Sequence, residues 1–76
     1  MDAWKERLVD EYTNLKVTLK RVHEKNLENA VLVAKSIEGL DSSALYNINL
    51  LNEQEEAMTK YLQCLELRAK LNDIEL

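Results

Sequence analysis

From Tyr12 to His23 the chain carries Lys16, Lys20 and Arg21 and no acidic residue. Two ammonium groups set beside an aromatic ring suit a phosphate and a base, because charge meets the anion and the ring offers a stacking face. If the chain doubles back on itself, Lys20 comes level with Tyr61. Arg7 and Arg68 then add charge near the free ends, and Gln54 adds a hydrogen-bonding amide. Arg7, Lys16, Lys20, Gln54, Tyr61 and Arg68 are therefore the candidate ligand-binding residues. One folded-back pair of helices offers only a shallow groove, so a concave site needs contributions from two copies. A plainer reading stands beside this one: Lys16 and Lys20 are solvated, Tyr61 packs its ring with its hydroxyl in water, and Arg7 and Arg68 pair with Glu11 to fix register.

Catalytic chemistry finds little support. His23-Glu24-Lys25-Asn26-Leu27 starts like a zinc-protease helix, but Leu27 stands where the second ligand is needed. His23 is better read as a helix-end or polar-layer residue. Cys64 is the sole cysteine and has no basic neighbour to activate it, which favours a small apolar residue at an interface. Glu24 with Glu28, and Glu53 with Glu56, lack the Glu-x-x-His pairs of di-metal bundles and read as solvated charges. One glycine cannot build a phosphate loop. The expectation is a protein that is not an enzyme, with no metal and no cofactor.

The elements that position these residues are written in the apolar pattern. Leu8, Tyr12, Leu15, Leu19 and Val22 recur at spacings of four and three, and so do Ile48, Leu51, Met58, Leu62, Leu65 and Ala69. Each set lies on one stripe of an α-helix. The stripes flank Gly39, which is expected to end the first helix in a left-handed conformation, with Leu40 packing back on the last turn. Asp41, Ser42 and Ser43 offer N-caps for a second helix running to about Asp73. Around His23 to Asn26 the period slips by one and resumes as Leu27, Val31, Ala34 and Ile37, which predicts a first helix that is continuous, bent or broken there. The predicted fold is all-α: an antiparallel helical hairpin over residues 1–76, one domain. It pairs Val33 with Ile48, Val22 with Met58, Leu19 with Leu62, Leu15 with Leu65 and Tyr12 with Ala69. Asn26 and Asn29 then face Asn52 and Glu55 as a polar layer that sets register.

A 76-residue chain without disulfide or zinc needs support beyond its own core. Leu45, Leu50, Tyr61, Cys64, Leu67 and Leu71 widen the apolar arc of the second helix past what one partner covers, so a homo-oligomeric bundle is expected. Trp4, Leu8, Leu15, Leu19, Val22, Met58, Leu62 and Leu65 are its core and subunit contacts. Residues 1–40 hold seven basic and seven acidic side chains, and residues 41–76 three and seven. The excess acid disfavours nucleic acid as a partner. No apolar run is long enough to cross a bilayer and the first residues lack a secretion signal, so a cytoplasmic setting is expected.

Two stretches carry a further likeness: Trp4-x-x-Arg7-Leu8-Val9-x-Glu11-x-x-x-Leu15, and Leu51-x-x-Gln54-x-x-x-Met58-x-x-Tyr61-x-x-x-Leu65-x-x-Arg68. Their distinctive positions are Trp4, Arg7, Glu11, Gln54, Tyr61 and Arg68. The chain resembles small helical accessory proteins of tailed bacteriophages, most of them uncharacterised. The match is poor from His23 to Asn49, where this chain is longer and more apolar. The resemblance implies a role against host defence, exercised by binding in the host cytoplasm. The expected function is sequestration of a small anionic nucleotide immune signal in a pocket between subunits. The alternatives are an inhibitor or adaptor of a host defence protein that uses acidic residues 53–56, 66 and 73–75, and a purely structural oligomerisation module.

Overall fold

Spacings of three and four that continue without interruption give a helix no reason to break. In a computed structural model, which describes residues 2–76 and only the backbone of Ile37, α1 runs unbroken over Ala3–Ser36. A 3-10 turn follows at Ile37–Gly39, and α2 spans Ser42–Leu71. The two long helices pack against each other as a hairpin, and the described residues form a rod of 54 × 16 × 15 Å.

The inward stripe of α1 does not slip. Val22 and Asn26 are buried and Asn29 and Val33 half-buried, so the three-four alternation passes straight through the polar residues. Leu27, Val31 and Ala34, which the sequence pattern puts on a resumed seam, are exposed instead, with Leu27 and Val31 more than half so. The expected seam side chain of Ile37 lies outside the described residues. A helix needs only a steady phase, and Asn at two seam positions keeps that phase while hiding it from a reading of apolar residues alone.

The turn departs from expectation too. Gly39 does not take a left-handed conformation. It closes the 3-10 turn, and among the described residues a Cβ placed on it would meet the Ser36 hydroxyl, at 3.2 Å. Leu40 is half-buried. Asp41 caps α2, its side chain accepting from the Ala44 N–H at 2.8 Å and so satisfying one of the helix's free donors.

At the other end α2 stops at Leu71, two residues short of the expected Asp73. The left-handed residue is here, at Asp73, with φ 54°. The Ile74 N–H donates to the Ala69 carbonyl at 2.8 Å and the Asp73 N–H to the Lys70 carbonyl at 3.4 Å. These two bonds define a Schellman stop, and its usual apolar contact is present: Ile74 folds back into the core. Leu8, Leu65, Ala69 and Ile74 form that core, with Val9, Tyr12 and Leu15 packed against it. Leu19, Met58 and Leu62 are half-buried along the seam, whereas Trp4 stands outside the core with 38% of its surface exposed.

Candidate functional site

Asn26 fixes how the helices meet. Its Nδ2 donates to the Leu51 carbonyl at 3.2 Å and to Glu55 Oε1 at 2.9 Å, so the side chain sits between two successive seam positions of α2. His23 Nδ1 lies 3.1 Å from the other carboxylate oxygen, Glu55 Oε2. The Asn26 hydrogen bond, with that of His23 behind it, holds the Glu55 carboxyl below its ordinary 4.5. This is the expected polar layer in part, since Asn29 is half-buried and makes no side-chain hydrogen bond among the described residues. Asn52 is exposed and donates to the Ile48 carbonyl of its own helix instead.

With the seam placed, the flanks follow. In an antiparallel pair, residues just after the inward stripe of one helix share a flank with their counterparts on the other, and residues just before it share the opposite flank. Gln54, Tyr61 and Arg68 each precede an inward residue of α2, as Trp4 and Glu11 do on α1, and they occupy one flank with Arg7 at its outer edge. Lys16 follows Leu15 and Lys20 lies beyond it, which puts both on the other flank. The expected meeting of Lys20 with Tyr61 does not occur, because being level along the rod is not being on the same side of it. Lys16 instead places its Nζ 5.4 Å from the ring centre of Tyr12.

All six candidate residues are exposed. Among the described residues the contacts between basic and acidic side chains within 4 Å are His23–Glu55 and Lys25–Glu28, so neither Arg7 nor Arg68 makes the pair with Glu11 that the plainer reading requires. Arg68 is thus a guanidinium in no ion pair among the described residues, about two helical turns from a Tyr61 that is 45% exposed. The Gln54 amide donates to the Met58 sulfur at 3.8 Å. Gln54 and Arg68 stand about 21 Å apart along the helix, so the three form a row and not a pocket. Surface depressions lie against Ala34, Lys35, Ser36 and Glu38 and along Glu55 to Lys70, and none of these includes any of the six. Among the described residues no group of three or more His, Cys, Asp or Glu is placed to hold a metal ion, and no helix is long and apolar enough to cross a membrane.

The sequence reading missed Ile74, whose place in the core comes from the stop at Asp73 and not from helical period. It also missed that Gln54, Tyr61 and Arg68 share a period with Leu50, Ala57, Cys64 and Leu71. The alternation of four and three among those seven positions was the available signal.

An extended two-helix hairpin with a small core and a free polar and aromatic row along one flank is built to present surface. A family model, Sequestin, matches residues 2–71, and the chain belongs to that family, whose name denotes a sequestering role. No curated protein and no solved structure matches the chain.

Proposed function

We propose that this protein acts by binding and not by chemistry, sequestering a small anionic nucleotide that serves as a host immune signal, and that it does so as a bacteriophage counter-defence protein in the host cytoplasm. The binding site forms where copies of the hairpin meet. The observation that supports this most directly is the row of Gln54, Tyr61 and Arg68 on one exposed flank, with the Arg68 guanidinium in no ion pair among the described residues. An arginine takes phosphate through two parallel hydrogen bonds, an exposed tyrosine ring stacks on a base, and an amide reads its edge. Membership of the Sequestin family supports the same mode of action. Lys16 and Lys20 lie on the other flank and in this reading serve only to attract anions at a distance.

Isothermal titration of the folded protein against cyclic and ADP-ribose-derived nucleotides tests the proposal. Heat is expected with at least one of them, falling at least tenfold in affinity in the Tyr61→Ala and Arg68→Ala variants and little changed in Lys20→Ala. Silence across the whole panel would remove the reading.

A further inference from the structure

Leu50, Gln54, Ala57, Tyr61, Cys64, Arg68 and Leu71 follow one another at spacings of four, three, four, three, four and three. This is a second heptad stripe on α2, turned away from the one that packs on α1. Every one of its residues is exposed, with Leu50 at 44% and Leu71 at 83%. A soluble helix has no use for a second knobs-into-holes seam unless another helix covers it.

We infer that this stripe is the contact between two copies of the chain, packed α2 against α2, antiparallel, with the two-fold axis close to Tyr61. The inference rests on the proposed action as an assembly and names the junction.

Three features of the stripe select that occupant and that orientation. Its pattern is nearly the same read in either direction, with leucine at both ends, tyrosine in the middle and a small residue on each side of it, so the stripe is complementary to a reversed copy of itself, as a two-fold contact requires. All seven acidic residues of positions 41–76 lie off it, so no carboxylate is buried by the pairing. Finally, an antiparallel pair brings Arg68 of each copy level with Gln54 and Glu53 of the other, where a parallel pair would set Arg68 against Arg68. The pairing also completes the binding row. Each Gln54 gains the partner's Arg68, and the two tyrosines come level at the axis beside Ala57 and Cys64, whose small side chains leave room there for a base against the rings.

Single cysteines in a Cys64→Ala background test both contact and direction, and the chosen positions are exposed, so the hairpin should still fold. Under mild oxidation Tyr61→Cys is expected to form a covalent dimer and Leu71→Cys alone to stay largely unlinked, while Leu50→Cys combined with Leu71→Cys links again. Sedimentation of the wild-type chain should show a multiple of the monomer mass, reduced at least twofold in Leu50→Glu/Leu71→Glu with helix content retained. A monomeric wild type, equal linking through Leu71→Cys alone, or unchanged assembly of the double glutamate variant would each overturn the inference. Cross-linking without nucleotide heat would sink the sequestering function alone. Nucleotide heat without cross-linking would sink this interface alone.

Discussion

Asn26 shows what a polar residue inside an apolar seam does. Its amide nitrogen is doubly bonded across the hairpin, yet its Oδ1 is buried with no partner among the described residues, a situation that costs on the order of 1–3 kcal/mol. Such a residue lowers stability in return for a single register, since sliding the helices by one turn would break both bonds. Glu55 depends on the same contact. Because its carboxyl is held below 4.5 in the folded chain, its contribution is fully present above the ordinary carboxylate value and is lost as pH falls through the depressed one. Urea denaturation midpoints should therefore separate wild type from Glu55→Gln at pH 7, and the gap should close as pH falls through the depressed Glu55 carboxyl value. A gap that is constant down to pH 3 would show that the Asn26 and His23 contacts do not favour the ionised form. The polar layer was legible in the sequence because Asn26 and Asn29 interrupt an otherwise apolar period. The loss of Asn52 from it was not, since Asn52 has an equally good acceptor one turn back in its own helix.

At the scale of elements the two ends of α2 differ. Its start is chemically explicit, with Asp41 the capping residue its type suggests. Its end is hidden, for the left-handed position is filled by Asp73, a residue that tolerates the conformation without announcing it. The chain's only glycine sits elsewhere, in a turn that does not call on its freedom. Asp73→Gly is accordingly expected to stabilise the hairpin by about 0.5–1 kcal/mol, by relieving the backbone and removing a negative charge from a helix C-terminus. Ile74→Ala should destabilise it by roughly 2–5 kcal/mol, because that side chain closes the core over Leu8, Leu65 and Ala69. Chemical denaturation of the two variants checks both signs. A neutral Ile74→Ala would mean that the chain's last residues are not part of the folded unit.

As a whole the molecule is long for its mass. Its radius of gyration is 16.5 Å, against about 11 Å for a compact domain of the same length. Among the described residues the buried apolar ones are Leu8, Val22, Leu65, Ala69 and Ile74, a core too thin to hold two helices of this length with a comfortable margin. Assembly through the outer stripe of α2 would supply what is missing, and linkage then makes stability depend on concentration. Thermal melts over a hundredfold range of protein concentration should shift by several degrees, upward with concentration. A melting temperature that does not move would mean the lone hairpin is self-sufficient.

Periodicity is a local property, and so the chain by itself determined that it forms two helices, where they turn back, and which stripes face inward outside the stretch from Leu27 to Ala34, where asparagines on the seam hide the phase. Membership of one flank is not local. It depends on the phase of each helix about its own axis once the seam is closed, and only the packed hairpin separates Lys16 and Lys20 from Tyr61 while aligning Gln54, Tyr61 and Arg68. The same holds for Ile74, which has no helical period to betray it and reaches the core only because Asp73 turns the backbone around.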